Sequence, residues 1–368
     1  MNILVTGSDG FIAKNLIMHL SHNSKYNILT INKKSSEHEL YNKLIISDAV
    51  FHLAGVNKEI YPKYTYENNY SFIKKICFFL ENNFKKTKIF YASSTQVKLN
   101  NPYGKSKLKA EKILLDYKKN TGAQVFIYRL PNIFGKWSKP HYNSAVATFC
   151  HQVCKRRKMI ITNPKKKISL LYIDDLIFNF LEAIEFKKNN NSFVKIERVF
   201  PITLKNLVNI IKSFDNKEKT YLPNNISNSL IKNLYSTYVS FFSKKDFTYK
   251  LNKFSDNRGY FSEFLKNLNF GQVSFFSILP KKKRGNHYHH SKIEKFVVIS
   301  GKVRFNFINI LTKKRFSILT DENANLVVNT IPGWAHNIEN KGNKVAKVLV
   351  WANEILDKKK PDTIFYKV

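Results

Sequence analysis

The sequence has few cysteines and no long apolar run. Its three cysteines, Cys77, Cys150 and Cys154, are scattered among 368 residues and are too few and too irregularly spaced for a disulfide framework or a zinc ribbon. No apolar stretch reaches membrane-spanning length, and the chain opens directly with an apolar strand at residues 1–5. We therefore expect a reduced, cytoplasmic protein without a signal peptide and without membrane insertion.

Acidic residues are scarce beside basic ones. Lysine and arginine number 62 against 26 aspartates and glutamates, which gives a net charge of +36 at pH 7. Such an excess is found in nucleic-acid-binding proteins, but here the lysines are spread over both halves of the chain and no nucleic-acid-binding motif accompanies them. We interpret the excess as solvated surface and predict no nucleic-acid partner. The charge does favour an anionic substrate such as a sugar nucleotide.

Strands that alternate with helices predict an α/β, doubly wound parallel sheet of the Rossmann type in the first part of the chain. The first strand, residues 3–6, leads into a glycine turn and an apolar helix. Glycines at this place let the backbone approach a pyrophosphate, whose charge then lies at a helix N-terminus. The third glycine of this pattern can be replaced by another small residue, which here is Ala13. The predicted dinucleotide site includes Thr6, Gly7, Asp9, Gly10, Phe11 and Ile12.

The second predicted strand ends in amide and cationic side chains. An NAD site usually carries an acidic residue here, which holds a ribose hydroxyl, whereas this chain has Asn32 and Lys33. These residues suit a 2′-phosphate and favour NADPH over NADH, the alternative being that the lysines belong to the general excess. A later strand ends in small residues that we place beside the cofactor: Leu53, Ala54 and Gly55.

A strand that ends in hydroxyl groups precedes a Tyr-x-x-x-Lys sequence. Ser94 ends the strand, and Tyr103 stands four positions before Lys107 at the entrance to a helical pattern at residues 106–117. Because residues four apart share a helix face, Lys107 would lie beside Tyr103 and favour its phenolate. Such a tyrosine passes a proton to or from a carbonyl or alcohol oxygen, which Ser94 would hold. Alone, the pattern also arises at a helix N-terminus with a solvated lysine.

Together these motifs resemble the extended short-chain dehydrogenases/reductases that act on nucleotide sugars. The resemblance covers about residues 1–240 and also rests on His52-Leu53-Ala54-Gly55, Arg129-x-x-Asn132 and Tyr172-Ile173-Asp174-Asp175. It implies that Tyr103 is the acid/base, Lys107 its partner on the nicotinamide ribose, and Ser94 the holder of the reacting oxygen. Asn132 would face the substrate, as would Trp137 and His141 unless they only pack their loop. Thr95 and Gln96 replace the acidic residues of the family's dehydratases, so we expect ketone reduction.

Short alternating strands after residue 246 predict a small antiparallel barrel or jelly roll. His287 and His289 lie two apart on one predicted strand and project from one face. Glu294 can join them from the next strand and His336 from a distant turn. Three imidazoles and a carboxylate make a Zn²⁺ or Fe²⁺ site, the alternative being a surface histidine cluster. We divide the chain into an NAD(P)-binding domain, residues 1–245, and an all-β domain, residues 246–368.

The second domain resembles the cupins. The resemblance rests on His287-x-His289-x4-Glu294-x6-Gly301 and on Pro332-Gly333-x2-His336-x3-Asn340. Two further segments, residues 256–263 and 284–287, are similar to segments of the cupin 3,5-epimerases of 4-keto sugars, which use no metal. That similarity implies that Arg258 and Glu263 hold a nucleotide sugar and that His287 is a base. His287 is thus either a metal ligand or a proton-abstracting base.

Nearly the whole chain resembles the bifunctional epimerase/reductases of the UDP-N-acetyl-L-fucosamine pathway, which serve capsule and O-antigen synthesis. The resemblance implies a UDP-2-acetamido-2,6-dideoxy-hexos-4-ulose substrate, epimerisation at carbon 3 in the cupin, and reduction of the 4-ketone with NADPH. It also implies Zn²⁺ or another divalent metal and a homodimer. One alternative is a nucleotide-sugar reductase whose cupin is only structural or dimerising. Another is a basic binding or scaffold protein without enzymatic activity.

Overall fold

The computed structural model describes residues 1–59, 61, 65–185, 191–215, 220–355 and 361–368, and the chain divides into two compact units. Unit 1 comprises Met1–Lys212 and Lys232–Phe242, and unit 2 comprises Ser213–Ile231 and Ser243–Val368. The chain therefore passes from one unit to the other at three points, and the segment at residues 221–245 is shared between them. The domain boundary after residue 245 stays a prediction.

The central sheet of unit 1 is entirely parallel, with strand order β2-β1-β3-β4-β5. The order reverses between β1 and β3, and ligands of such sheets bind at the carboxyl ends of the strands at that point. The predicted doubly wound α/β fold is confirmed. The strands are β1 (Asn2–Thr6), β2 (Asn27–Ile31), β3 (Ala49–His52), β4 (Lys88–Ser94) and β5 (Val125–Leu130). A second sheet contains β6 (Asn132–Phe134), β7 (Lys167–Tyr172) and β8 (Phe200–Thr203).

Helices cover both faces of the central sheet, so its strands are apolar on both sides. Phe51, Phe90 and Phe126 lie side by side on β3, β4 and β5, with ring centroids 4.2 and 4.6 Å apart. They face the helices α1 and α6, whereas their neighbours Val50 and Ile89 face α2, α3 and α4. The helices are α1 (Phe11–Ser21), α2 (Glu37–Ile46), α3 (Asn68–Asn82), α4 (Pro102–Thr121), α5 (Ala145–Cys154), α6 (Ile173–Glu185), α7 (Leu204–Ser213) and α8 (Ser229–Val239).

Unit 2 contains two antiparallel sheets that enclose one apolar core, which includes Phe276, Phe296 and Phe305. The sheets have the orders β16-β13-β18-β11-β10-β9 and β15-β14-β17-β12-β19. The predicted all-β cupin fold is confirmed. The strands are β9 (Phe254–Asp256), β10 (Gly259–Asn267), β11 (Gly271–Ile278), β12 (Lys283–Tyr288), β13 (Glu294–Ser300), β14 (Lys302–Asn309), β15 (Arg315–Asp321), β16 (Val327–Thr330), β17 (Trp334–Asn340), β18 (Ala346–Ala352) and β19 (Ile364–Phe365).

The segment at residues 220–223 is bonded to the edge of β10. The backbone N–H of Leu222 donates to the Lys266 carbonyl at 2.9 Å, and the Asn267 side chain donates to the Pro223 carbonyl at 2.8 Å. Unit 2 is therefore completed by residues that come before α8 in the sequence. Within the described part of the chain, none of the helices is both long enough and apolar enough to cross a membrane.

Candidate functional site

The glycine turn lies where the strand order of unit 1 reverses. Gly7 has a φ of +68°, and a Cβ there would lie 2.7 Å from the Cα of Ala54, which follows β3. The Gly10 N–H donates to the Gly7 carbonyl at 2.8 Å, and Gly10 is the N-cap of α1. This cradle fits a pyrophosphate, because the backbone is bare and a helix begins there. The predicted cofactor residues lie together at this place. After β1 and at the start of α1 these are Thr6, Gly7, Asp9, Gly10, Phe11 and Ile12, and after β3 they are Leu53, Ala54 and Gly55.

The end of β2 adjoins this turn. The Ser8 N–H donates to the Ile31 carbonyl at 3.2 Å, which ties the turn to the last residue of β2. The side-chain oxygen of Asn32 accepts the N–H of Lys34 at 2.9 Å and so shapes the segment that carries the exposed Lys33. The predicted amide and cationic groups thus lie at the same sheet edge as the cradle, and the preference for NADPH stays a prediction.

Tyr103 and Lys107 share one face of α4, which begins at Pro102 and not at residue 106 as the pattern predicted. Asn101 caps this helix by accepting the Gly104 N–H at 2.7 Å. Lys107 is 5% exposed, and its ammonium donates to the Ala92 carbonyl at 2.9 Å and lies 6.0 Å from the centre of the Tyr103 ring. Burial lowers the pKa of Lys107 to about 8.

The Tyr103 hydroxyl is held by a residue that the sequence did not indicate. It donates to the side-chain oxygen of Asn57 at 3.1 Å. Burial raises the pKa of Tyr103 to about 12, and its hydrogen bond with Ser94 opposes that rise. The pKa therefore moves in the direction opposite to the predicted one, because burial penalises the phenolate while Lys107 is engaged by a carbonyl. A neutral phenol is the form that can give a proton to a ketone oxygen.

A buried network positions the N-terminal turn of α4. Asn69, at the start of α3, accepts the Val56 N–H at 2.7 Å and donates to the Val56 carbonyl at 3.0 Å. Its amide also donates to the Ser106 hydroxyl at 3.0 Å, and Ser106 donates to the Tyr103 carbonyl at 2.8 Å. The sequence pattern gave no indication of this network. Its member Ser106 is buried on α4 beside Lys107.

The remaining predicted substrate residues of unit 1 lie on and after β6. Asn132 is exposed, and its amide donates to the Ser169 carbonyl at 3.2 Å. Trp137 and His141 lie in the following loop with positive φ values of 68° and 58°, and both are exposed. Their roles toward a substrate stay predictions.

Four predicted metal ligands meet inside unit 2. One ligand atom from each of His287, His289, Glu294 and His336 can be chosen so that all lie within 4.8 Å of one another. A carboxylate oxygen of Glu294 is 3.2 Å from Nε2 of His289 and 3.4 Å from Nε2 of His336. A tetrahedral ion with bonds of ~2.0–2.1 Å separates its ligands by ~3.3–3.5 Å. His289 and His336 are 2% and 1% exposed, so this is not a surface histidine cluster.

A bulge in β12 directs His287 into the cluster. The register of β12 against β17 shifts between Gly285 and His287, which pairs with His336. The bulged residue, Asn286, has a φ of 63°, and Gly285 has a φ of 99°. Bulges re-aim side chains in this way. Here the extra residue brings two imidazoles from neighbouring strands to ring centroids 4.6 Å apart.

The environment of Glu294 favours its ionised form. Burial alone would raise the pKa of this carboxyl, but hydrogen bonds with His289 and His336 and the nearby Lys292 ammonium hold the pKa well below its usual range. Burial lowers the pKa of His287 to about 3, which keeps that imidazole neutral. One carboxylate and neutral imidazoles are the donor set that a divalent cation prefers. The residues present therefore fit such an ion.

Arg258 and Glu263 lie on the β9–β10 hairpin and are not among the four ligands. The Arg258 guanidinium donates to Asp256, whose pKa it lowers to about 2. Glu263 forms an ion pair of 2.6 Å with Lys266 on the same strand. Their contact with a nucleotide sugar stays a prediction.

Comparison with known proteins identifies the family. The sequence profile of the NAD dependent epimerase/dehydratase family matches residues 3–196, more than half of the chain. The chain belongs to this family. The profile of the polysaccharide biosynthesis C-terminal domain matches residues 254–364, all of them within the span of unit 2.

Two known proteins match this chain from end to end. UDP-2-acetamido-2,6-beta-L-arabino-hexul-4-ose reductase of Pseudomonas aeruginosa is 39% identical over 363 residues, which are 99% of this chain and 98% of that protein. The crystal structure of the capsular polysaccharide assembling protein CapF of Staphylococcus aureus has a TM-score of 0.92, 36% identity and 100% coverage of both chains. CapF with the inhibitor 3-isopropenyl-tropolone gives 0.87, 34% and 100% of both. The predicted family resemblance is confirmed.

Proposed function

We propose that this protein is a bifunctional nucleotide-sugar enzyme. Unit 2 would epimerise carbon 3 of UDP-2-acetamido-2,6-dideoxy-hexos-4-ulose, and unit 1 would then reduce the 4-ketone with NADPH, toward UDP-N-acetyl-L-fucosamine for capsule or O-antigen. The name of the full-length Pseudomonas relative supports a reductase of a UDP-linked 4-keto sugar. The buried cluster of three histidines and a glutamate is the observation that carries the proposal of a second activity.

The reductase step uses the residues at the end of β4 and the start of α4. The glycine cradle and Lys33 would hold NADPH, which would supply the hydride for carbon 4. Tyr103 gives its phenolic proton to the ketone oxygen, so that an alcohol results, and Ser94 holds that oxygen through a hydrogen bond. The high pKa of Tyr103 keeps the proton available at neutral pH. The Lys107 ammonium then stabilises the phenolate until solvent returns a proton.

The epimerase step needs a proton to leave carbon 3 from one face and return on the other. The ketone at carbon 4 acidifies that proton. His287, His289, Glu294 and His336 would hold Zn²⁺ or another divalent cation, whose charge would stabilise the negative charge that develops on the ketone oxygen. His287 is the least buried of the four, and its alternative role as the base is retained.

We further propose a cytoplasmic homodimer that binds no nucleic acid. None of the three cysteines, Cys77, Cys150 and Cys154, is in a disulfide, which suits a reducing compartment. The homodimer is supported by the family resemblance alone. Light scattering on the purified protein tests it, and a mass near the 43.1 kDa of one chain would contradict it.

The decisive experiment follows hydrogen exchange at carbon 3 of the 4-keto UDP-sugar. Purified protein is incubated with this sugar in D₂O without NADPH, and the deuterium content at carbon 3 is measured by NMR. We compare the wild type with His336→Ala, with Tyr103→Phe, and with His290→Ala as the matched control. His290 is exposed and adjoins the cluster in sequence without belonging to it.

We expect exchange in the wild type, in Tyr103→Phe and in His290→Ala, and none in His336→Ala. In a separate assay Tyr103→Phe should lose NADPH oxidation by a factor on the order of 10²–10⁴. Absence of exchange in every protein, with NADPH oxidation intact in the wild type, would leave a reductase with a structural cupin. Failure to bind NADPH would instead favour a binding or scaffold role.

A further inference from the structure

One carboxylate near the end of the chain holds the turn between two of the clustered residues. The side chain of Asp362 accepts the backbone N–H groups of His290, Ser291 and Lys292 at 2.8, 2.7 and 2.9 Å. It also accepts the Ser291 hydroxyl at 2.9 Å. The turn held in this way connects His289 to Glu294, so its shape sets the spacing between these two side chains.

The backbone carbonyl of the same residue contacts the cluster directly. It accepts a hydrogen bond from Nδ1 of His289. This hydrogen bond fixes the orientation of the imidazole ring and leaves Nε2 as the ring nitrogen that faces the other clustered residues. Nε2 lies 3.2 Å from an oxygen of Glu294. The Asp362 carbonyl therefore directs His289 toward the cluster.

We propose that Asp362 is the positioning residue of the histidine–glutamate cluster: its carbonyl orients His289, and its carboxylate fixes the turn that places His289 against Glu294. The inference rests on the proposed metal role of unit 2 and extends it to a residue 72 positions from His290 in sequence. Hydrogen bonds behind metal ligands typically change metal affinity by about 10–100-fold. Four donors on one carboxylate also make a rigid support, since charge-assisted hydrogen bonds are about twice as strong as neutral ones.

The test measures metal binding by the full-length protein. Protein freed of metal by a chelator is titrated with Zn²⁺ in competition with a chromophoric chelator, and separately with Co²⁺, whose visible absorption reports ligand geometry. The variants are Asp362→Ala, Asp362→Asn and Asp321→Ala. Asp321 is the matched control, because its carboxylate also caps a turn of unit 2, accepting the Asn323 N–H at 3.0 Å, and is not part of the cluster.

We expect Asp362→Ala to weaken Zn²⁺ binding by about 10–100-fold and to shift the Co²⁺ bands. Asp362→Asn should weaken it less, because one side-chain oxygen still accepts from the turn. Asp321→Ala should bind Zn²⁺ as the wild type does. NADPH binding, measured by fluorescence, should be the same in all four proteins and reports that unit 1 is folded, while unchanged circular dichroism spectra report that unit 2 is folded.

Three outcomes would overturn the inference in distinguishable ways. A wild-type protein that binds neither Zn²⁺ nor Co²⁺ would remove the proposed metal role and the positioning role with it. A wild type that binds while Asp362→Ala binds equally well, with unchanged Co²⁺ bands, would make Asp362 an anchor of the chain end alone. Should Asp362→Ala fail to fold, Ser291→Ala removes one contact only and is expected to weaken Zn²⁺ binding about 2–5-fold; unchanged binding there would also count against the role.

Discussion

At the scale of single residues, burial disfavours the charged form of Lys107. Its folded pKa is about 8, against 10.5 for an unperturbed lysine. Between these pH values the unfolded chain binds more protons than the folded one, so stability rises with pH across this window. Below pH 8 the buried ammonium destabilises the fold by roughly 3 kcal/mol, since one pKa unit corresponds to about 1.4 kcal/mol. Stability therefore does not explain the presence of Lys107, which agrees with the catalytic role proposed for it.

Replacement of Lys107 should separate activity from stability. In Lys107→Met we expect NADPH oxidation to fall by about 10²-fold or more, because the phenolate of Tyr103 loses its cation. The free energy of unfolding in urea near neutral pH should stay the same or rise by about 1–3 kcal/mol. The rise of stability between pH 8 and 10.5 should disappear. Lys105→Met, at an exposed position of the same helix, is the control. A Lys107→Met variant clearly less stable than the wild type would contradict this account.

Lys33 should determine the choice of cofactor. In Lys33→Ala we expect kcat/KM for NADPH, divided by that for NADH, to fall about tenfold, because a charged hydrogen bond contributes about 1.5–3 kcal/mol. Steady-state kinetics with both cofactors measures the ratio. Lys74→Ala removes an exposed lysine of α3 and should leave the ratio unchanged. Equal loss with both cofactors would mean that Lys33 does not recognise the 2′-phosphate.

At the scale of secondary-structure elements, α4 lies against the backbone that follows β4 at Gly104. A Cβ at this position would overlap the carbonyl oxygen of Gln96 and approach that of Leu99 to 3.1 Å. Gln96 belongs to a short 3₁₀ helix (Thr95–Lys98) between β4 and α4, and Ser94 is the N-cap of this helix. A side chain at residue 104 would therefore push the first turn of α4 and the segment at Gln96 apart.

Gly104→Ala should impair catalysis more than binding. We expect kcat to fall by roughly 10–100-fold, because a displacement of about 1 Å is enough for such a loss, and stability to fall by about 1–3 kcal/mol. Binding of NADPH at the glycine turn should change little, because a Cβ at residue 104 meets Gln96 and Leu99 and not the turn. Lys105→Ala, next along the helix and exposed, is the control. Unchanged kcat would show that the two segments can separate freely.

The elements that the sequence predicted are those with local signals. The apolar run at residues 3–6 located β1, and the His-x-His-x4-Glu spacing located three of the four clustered residues. The predicted helical pattern began at residue 106, four residues too late, because the apolar periodicity does not include the cap residue Asn101 and the first helical residue Pro102. Asn57 and Asp362 were missed because their roles arise from tertiary contacts, for which neighbouring residues give no indication.

Tertiary packing also explains why the predicted direction of the Tyr103 pKa shift was wrong. Spacing on a helix shows that Lys107 and Tyr103 are neighbours, but it does not show how deeply either is buried. Burial is a property of the packed molecule, and here it raises the pKa of Tyr103 and lowers that of Lys107.

At the scale of the whole molecule, the net charge of +36 should attract an anionic sugar nucleotide over a long range. We expect KM for the UDP-sugar to rise about 3–10-fold when NaCl increases from about 20 mM to about 500 mM, because screening weakens long-range attraction. The rate at saturating substrate should change little and serves as the internal control. A KM independent of salt would mean that the lysines are only solvated surface.

The path of the chain between the two units has a consequence for recombination. Residues 213–231 belong to unit 2 although residues 232–242 belong to unit 1, so no single cut separates the units. A fragment spanning 246–368 would lack the bonds that Leu222 and Pro223 make with β10. We expect it to melt at a lower temperature than the same strands in the intact protein. A gene fusion that joined unit 2 to another reductase at one junction would carry it incomplete, so we expect the two proposed activities to be inherited together.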